Sequence, residues 1–400
     1  MWKRPVHIAL TALLAVMLAA PASAQTREQA KRIYDRLAGV PPTLAVLDAL
    51  ENNAGTDPVC VLNGVSGPAC AAYIAMESSS FYNVTLKNFA APWTNREGSV
   101  FVPLNDYIAT VIGMIRDDID FRTVLSADLQ YVGRDGTVSS APAANNNNHY
   151  GQLEAGNHDL KTVLEPRAQS GINNIPASAT AGVITSRAAS EAFFIAGTNR
   201  AMFRFTMVNH FCTDMEQLHD PRMPPDRIRQ DVSRSPGGDS RLFLNNCVGC
   251  HTGMDPMAQA FAYYNYNDGT GALEYSGNGP GLGGTVQAKY FNNDLNFPQG
   301  FRTPDDHWTN YWRNGQNRYL GFNGPGTGDD FGAKSLGVEL SNSDAFAACQ
   351  VKKVFKAVCL RDPETDDDHI EVGQIVTNFE NSGFKMKRVF ADTAEYCMGQ

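Results

Sequence analysis

The pentapeptide CVGCH, from Cys247 to His251, constrains this chain more than any other stretch of its sequence. Two cysteines separated by two residues and followed at once by a histidine can hold a haem, a zinc ion or a redox disulfide. On one helical turn, two thiols can meet the two vinyl groups of a haem while the adjacent imidazole reaches the iron. Helical spacing places five side chains on one face: Phe243, Cys247, Cys250, His251 and Met254. The motif therefore predicts one covalent haem c, with Cys247 and Cys250 as thioether sites and His251 as the proximal iron ligand.

The two other uses of this motif fit the sequence less well. A structural zinc ion needs four ligands, commonly from paired CxxC motifs or from CxxC with two histidines, and the chain has no second CxxC pair. A thioredoxin-like site needs CxxC at the start of a helix that follows a strand. The segment LFLNN before Cys247 is instead typical of a helix interior.

Two aspartates near the motif are predicted to begin helices. Asp239 follows the turn SPGG, and its carboxylate can accept hydrogen bonds from free backbone N–H groups as an N-cap. Asp255 precedes Pro256, the arrangement of an N-cap followed by proline at the first helical position. In this interpretation a new helix begins after the motif, and Met254 packs against the edge of the haem.

The N-terminus predicts export. Lys3 and Arg4 precede an apolar run from Ile8 to Ala20, and a small-residue site follows with a cut after Ala24. This is the pattern of a secretory signal peptide, residues 1–24. A membrane anchor is the alternative, but the run is shorter than the ~20 apolar residues that span a bilayer. We expect an exported protein, in a bacterial periplasm, where disulfides persist.

Charge restricts the partners of the mature chain. Without Lys3 and Arg4 it has 31 basic and 42 acidic side chains, a formal charge of −11. Such a chain is a poor partner for nucleic acid or anionic lipid. No later segment is long and apolar enough to span a membrane, so no transmembrane segment is expected after signal cleavage. The oligomeric state stays open.

Hydrophobic periodicity predicts a mainly α fold, with helical bundle units around the c-type haem site. A Gly-, Asn- and aromatic-rich region is expected to form loops and short strands. The predicted units follow the signal peptide in this order: an N-terminal helical unit (25–136), a loop-rich insertion (137–180), a cytochrome c-like haem region (181–342) and a C-terminal helical unit (343–400).

The other cysteines predict disulfides. They are Cys60, Cys70, Cys212, Cys349, Cys359 and Cys397. An even number in an exported chain favours three disulfides, for which ~15 connectivities exist. Cys349 and Cys359 fall on one predicted helix, ~15 Å apart and beyond the ~7 Å limit for a disulfide, so they cannot pair with each other. We favour Cys60 with Cys70, whereas Cys212 and Cys397 share the remaining two. Free buried thiols are the alternative.

The distal iron ligand is the least determined part of the predicted site. Met223, in RMPPD, is the first candidate, because Met followed by Pro is similar to the axial-ligand loop of small class I cytochromes. Met386, in GFKMKRVF, is the weaker candidate. His210 and His307 are further options, and ordinary packing is the alternative for each of them. An open distal position is also compatible with the sequence.

The segment CVGCHTGMDPMAQAFAYYNYND resembles the CxxCHxxMDP segment of the planctomycete-type multidomain exported c-type cytochromes, whose domains are mostly of unknown function. Further segments resemble that group in the same order: DFRTVLSADLQYVG, HYG, AGVITSRAASEAF, FAACQVKKVFKAVCLRDP and GFKMKRVF. The resemblance covers most of the mature chain, and it implies a mainly helical haem protein with Cys247, Cys250 and His251 in the roles given above. The chain lacks the second CxxCH of the larger members, which speaks against a multi-haem relay.

These observations favour single-electron transfer to a redox partner protein by a six-coordinate haem. One alternative is a haem enzyme with an open distal site, of a peroxidase-like or oxygenase-like kind. Another is a structural or sensing haem protein of a cell-surface assembly. No His/Arg pair at readable spacing supports peroxidase chemistry, and the first interpretation is therefore preferred.

Overall fold

The computed structural model describes residues 26–52, 56–194, 198–291 and 295–399. The predicted signal peptide, residues 1–24, lies outside these ranges. Within them, no helix combines the length and the apolar character that crossing a bilayer requires.

The fold is mainly helical, as the hydrophobic periodicity predicts. The α-helices are α1 (Arg27–Ala38), α2 (Leu44–Asn52), α3 (Pro58–Asn63), α4 (Gly67–Met76), α5 (Lys87–Ala90), α6 (Asp106–Arg116), α7 (Asn148–Ala155), α8 (Leu160–Val163), α9 (Ser170–Asn173), α10 (Arg187–Phe193), α11 (Arg200–Phe211), α12 (Ser240–Leu242), α13 (Val248–Ala258), α14 (Gly332–Ser341), α15 (Asp344–Cys359), α16 (Asp366–Asn381) and α17 (Met386–Tyr396). Turns of 3₁₀ helix span Ala91–Thr94, Phe121–Leu125, Gly182–Thr185, Met215–Leu218, Pro236–Gly238, Gln259–Phe261, Ala288–Phe291, Tyr311–Arg313 and Gly315–Leu320, and π-helical turns span Phe81–Leu86 and Phe243–Cys247.

Short strands form antiparallel two-stranded sheets. The pairs are β1 (Gln130–Gly133) with β2 (Leu164–Arg167), β3 (Tyr264–Asn267) with β4 (Ala272–Tyr275), and β5 (His307–Thr309) with β6 (Asp329–Phe331). Between β3 and β4, Asn267 Oδ1 accepts from the N–H of Gly269 (2.9 Å), and Gly271 has a φ of 73°. Glycine tolerates this conformation because it lacks Cβ. The prediction of short strands and turns in the Gly-, Asn- and aromatic-rich region is confirmed.

A hydrophobic core joins the N-terminal and C-terminal helices. α4 packs against both α1 and α17, and α15, α16 and α17 pack against one another. α6 is buried along nearly its whole length, from Asp106 to Ile115. α11 packs against α15 and also against α13, which carries Cys250 and His251 of the CxxCH motif. The predicted N-terminal and C-terminal helical units are therefore in contact, and α11 connects them to the motif.

Residues 137–180, predicted as a loop-rich insertion, contain short regular elements between loops. They contain α7, α8, β2 and α9, and β2 pairs with β1. His149 and Tyr150 are buried. The N–H of Gly133 donates to His149 Nε2 (2.8 Å), and the Tyr150 hydroxyl donates to the carbonyl of Tyr131 (2.9 Å). These hydrogen bonds hold His149 and Tyr150 against β1, and turns and loops form the rest of the segment.

All eight cysteines lie within the described residues, and six of them form disulfides. The pairs are Cys60–Cys70, Cys212–Cys349 and Cys359–Cys397, with Cα–Cα distances of 5.1, 5.3 and 5.5 Å. Cys349 and Cys359 both lie on α15 and bond to different partners, in agreement with the prediction from helical spacing. The disulfides connect α3 to α4, the end of α11 to α15, and the end of α15 to the end of α17.

Candidate haem site

The motif lies on a continuous helical segment. Asp239 is the N-cap of α12, because its side chain accepts from the N–H of Arg241 (2.9 Å). The π-helical turn Phe243–Cys247 follows α12 directly, and α13 follows that turn. The prediction of helix interior before Cys247 is therefore confirmed. Cys247, Cys250 and His251 are all partly exposed, and we call the side of the helix that they share the motif face.

The opposite side of α13 is formed by glycines packed closely against two rings. Gly249 and Gly253 lie four residues apart, and we call their side the glycine face. A Cβ atom at Gly249 would lie 2.6 Å from the ring of His219, and one at Gly253 would lie 2.1 Å from Nε1 of Trp312. Larger side chains at these positions would clash with the two rings. The glycines therefore allow this side of α13 to pack closely on His219 and Trp312, and the motif face points away from that contact.

The two motif thiols stand apart from the six disulfide cysteines. Cys247 and Cys250 form no disulfide with each other. Cys250 Sγ donates to the carbonyl of Met215 (3.3 Å), and burial raises the pKa of this thiol. Cys247 packs against a small apolar cluster formed by Ile228, Val232, Phe243 and Val248. Two unpaired thiols at this spacing and in a partly apolar setting suit thioether attachment to a haem.

An exposed apolar side chain extends the motif face. Leu244 lies three residues before Cys247 and is 51% exposed. Residues three and four apart on a helix are neighbours on its surface, so Leu244 lies one turn from the first thiol. Leaving such a side chain in water is unfavourable. An apolar macrocycle attached at the two thiols would cover it, and the donor set and its surroundings therefore fit a haem.

His251 is held by two neighbours. Its Nδ1 lies 3.2 Å from both carboxylate oxygens of Asp255, one turn along α13. Its ring stacks on Phe243, with ring centroids 6.2 Å apart and planes inclined by 26°. The side chain retains 20% exposure. The ring therefore has Nδ1 engaged, while Nε2 is left for a ligand.

The predicted role of Asp255 as an N-cap is wrong. α13 continues through Asp255 and Pro256 and ends at Ala258. Asp255 is fully buried, and Arg200 donates to both of its oxygens, from Nε at 2.7 Å and from Nη2 at 3.0 Å. An N-cap carboxylate bonds to the first backbone N–H groups of its own helix, whereas this one bonds to a guanidinium of α11. The ion pair with Arg200 therefore holds the carboxylate of Asp255 in place.

Asp255 belongs to a buried network of two aspartates and two arginines. Arg200 also donates to both oxygens of Asp231, each at 3.0 Å. The backbone N–H of Arg229 donates to Asp255 Oδ2 (3.3 Å). Burial by itself raises the pKa of Asp255, but the charge of Arg200 and the contact with His251 outweigh burial and hold this pKa well below its usual range. Arg200 is 55 residues from Asp255 along the chain and Arg229, with Asp231 close after it, is 26 residues from Asp255, so no local spacing rule pointed to them.

Met223 lies near the glycine face. Its side chain is buried, and its Cε would be 2.2 Å from a Cβ atom at Gly315. The N–H of Asp220 donates to the carbonyl of Gly249 (3.1 Å), and the hydroxyl of Thr252 donates to the carbonyl of Asp220 (3.0 Å). These contacts place the segment before Met223 behind α13. As a distal ligand, Met223 would have to turn from Gly315 toward the motif face.

The other candidates for the distal position have neighbours elsewhere in the fold. Met386 begins α17 and is buried where that helix packs with α4, α15 and α16. His210 is buried near the end of α11, with Nε2 beside the hydroxyl of Tyr107 (2.8 Å). His307 is on β5, with Nε2 beside the carboxylate of Asp329. The contacts described for these residues do not bring them to the motif face.

Among the described residues, no group of three or more His, Cys, Asp or Glu side chains is arranged to hold a metal ion. Comparison of the chain with protein-family models, with curated proteins and with solved structures gave no match.

Proposed function

We propose that this protein is an exported mono-haem c-type cytochrome that passes single electrons to a redox partner protein. The observation that carries the proposal is the division of the cysteines. Six pair in disulfides, whereas Cys247 and Cys250 stay unpaired on one helix face beside His251. In an oxidising compartment, two unpaired cysteines at CxxCH spacing are accounted for by thioether attachment.

Each side chain of the motif face has a role in this proposal. Cys247 and Cys250 attach the haem c, and the imidazole of His251 is the proximal ligand. Leu244, exposed one turn before Cys247, would give the bound haem an apolar neighbour. When bound, the haem supplies a one-electron couple whose potential depends on its axial ligands and its surroundings. The glycine face packs against the protein and the motif face is partly exposed. The haem would therefore lie toward the surface, where a redox partner can approach.

The proposed location in the periplasm is supported by the disulfides and by the predicted signal peptide. Three disulfides are compatible with an exported protein, and the predicted signal peptide directs the chain to a bacterial periplasm. Haem c is attached outside the cytoplasm, which agrees with this route.

A haem enzyme with an open distal site is the second candidate. The positions of Met223 and Met386 favour it, since Met223 packs against Gly315 and Met386 is buried on α17. An open position would admit a small oxidant, whereas electron transfer works best when both axial positions are filled. Met223 stays our prediction for a distal ligand, because its segment is bonded to α13 whereas Met386 lies on α17.

Covalent attachment tests the proposal. The full chain is produced with a haem-attachment system, and haem is followed on denaturing gels and in the intact mass. The wild type should keep one haem after denaturation, and the Cys247→Ala, Cys250→Ala variant should lose it. A matched variant, Cys60→Ala with Cys70→Ala, also removes two cysteines but should keep the haem. Haem that is extracted from the denatured wild type would disprove the assignment.

A further inference from the structure

We propose that Asp255 is a positioning residue for His251 that accepts the Nδ1 proton and lowers the reduction potential of the haem. This inference rests on the proposed function. The contact itself lies within the chain: Nδ1 of His251 is 3.2 Å from both oxygens of Asp255. Histidines that bind a metal commonly donate their second ring N–H to such a partner, which orients the ring and makes it a stronger ligand.

The carboxylate determines the tautomer of His251. An ionised carboxylate only accepts hydrogen bonds, so the nitrogen that faces it must carry the proton. Asp255 stays ionised because Arg200 donates to both of its oxygens. Nδ1 of His251 therefore carries the proton and Nε2 presents its lone pair. Nε2 is therefore the nitrogen that would hold the iron.

Asp255 cannot turn away from His251. It is fully buried, its oxygens are bonded to Arg200, and Oδ2 also accepts from the backbone of Arg229. Arg200 is held in turn by both oxygens of Asp231. The hydrogen-bond acceptor of His251 is thus fixed before any cofactor binds. Such preorganisation keeps the ring in one orientation during a change of iron charge.

The direction of the shift in reduction potential follows from the negative charge of Asp255. A carboxylate that accepts the Nδ1 proton gives the imidazole anionic character, and this favours the ferric over the ferrous state. The potential should therefore be lower than with a neutral acceptor. Asp255→Asn keeps the shape of the side chain and removes the charge, so it should raise the midpoint potential.

Asp231 provides a matched control. It has the same charge, lies in the same buried network and bonds to the same Arg200. Among the described residues, no hydrogen bond connects Asp231 with His251. Asp231→Asn therefore reproduces the loss of one buried charge, including any cost to folding, and leaves the acceptor of His251 in place.

The experiment compares the haem-loaded wild type with Asp255→Asn, Asp255→Glu and Asp231→Asn. Midpoint potentials are measured by spectroelectrochemical titration. Asp255→Asn should raise the potential more than Asp231→Asn does, and Asp255→Glu should return it toward the wild-type value. Equal shifts in the two Asn variants, or no shift in either, would overturn the proposal.

A second measurement needs no variant. In the wild type, the Nδ1 proton of His251 should be visible by proton NMR and should exchange slowly with solvent, since a buried carboxylate holds it. Rapid exchange would contradict the proposal even if Asp255→Asn failed to fold. A wild type without covalent haem would refute the proposed function instead, so the two failures are distinguishable.

Discussion

The hydroxyl of Tyr107 lies 2.8 Å from Nε2 of His210 in the interior of the protein. Both side chains are buried, and the ring of His210 also stacks on Phe346, with centroids 6.2 Å apart. Nδ1 of His210 has no hydrogen-bond partner among the described residues. No carboxylate of the described residues contacts this imidazole, so its protonated form would not be neutralised by an ion pair with them. Burial, and then the charge of Lys353, lower the pKa of His210 well below its usual value.

Acid should destabilise the protein through His210. Its folded-state pKa lies below the unfolded value of ~6.5, so the unfolded chain takes up the proton first. The stability contribution is present above pH ~6.5 and is lost as the pH falls toward the folded-state pKa, at up to ~1.4 kcal/mol per pH unit. Urea unfolding between pH 5 and 7.5 should show a shallower slope for His210→Gln. The exposed His369→Gln should keep the wild-type slope, and identical slopes in all three proteins would contradict this.

Asp306 should make the protein less stable as the pH rises, the opposite of the effect of His210. It is fully buried, the N–H of Gly281 donates to its Oδ1 (3.2 Å), and its Oδ2 has no partner among the described residues. Burial raises its pKa to about 6. Because this is above the unfolded value of ~3.9, its contribution is present below pH ~4 and lost as the pH rises through about 6.

Asp306→Asn should therefore raise the free energy of unfolding at pH 7 by about 1–3 kcal/mol, because it removes a buried charge that forms no ion pair within the described residues. The gain should vanish near pH 4, where the wild-type carboxyl is protonated. Chemical unfolding of both proteins at the two pH values checks this. Asp268→Asn, at an exposed turn, is the control and should change little. A loss of stability at pH 7 would show that Asp306 has a partner or a function that needs its charge.

The disulfides should differ in their effect on stability. Cys212 and Cys349 are 137 residues apart, whereas Cys60 and Cys70 are 10 apart. Crosslinking a longer loop removes more entropy from the unfolded chain. Replacing the first pair with serine should cost about 4–5 kcal/mol, and replacing the second about 2–3 kcal/mol. Denaturant unfolding gives these values. Peptide maps without reductant should show the three pairs, and a Cys349–Cys359 link would be incompatible with α15.

Carbon monoxide distinguishes the two candidate functions. If Met223 is the distal ligand, the reduced wild type should bind carbon monoxide poorly, and Met223→Ala should bind it readily. The potential of that variant should also fall, because a thioether stabilises ferrous iron. Met386→Ala serves as the comparison and should behave like the wild type. Rapid binding of carbon monoxide by the wild type, together with fast peroxide turnover, would favour the enzyme.

Some features of the candidate site and of the disulfides could be predicted from the sequence, because they depend on residues close together along the chain. The helical run through LFLNN into the motif follows from apolar spacing, and the cap at Asp239 follows from the preceding turn. The exclusion of a Cys349–Cys359 bond requires only that both residues lie on one helix. Local hydrogen bonds and side-chain spacing carry this information within a few residues.

The role of Asp255 could not be predicted from neighbouring residues. The dipeptide Asp255-Pro256 predicts a helix start, but a bond to Arg200, 55 residues away, holds Asp255 inside α13. The burial of His149 depends in the same way on contacts with β1, among them the hydrogen bond from Gly133.

The CxxCH spacing, the helical character of the chain and the favoured Cys60–Cys70 pair could all be read from the sequence. Which of Cys349 and Cys359 bonds to Cys212, which acceptor faces His251 and where Met223 lies relative to α13 depend on the tertiary structure. Caps and helix faces depend on residues within a turn or two, whereas buried ion pairs and packed rings join distant segments whose meeting depends on the packing of the whole core.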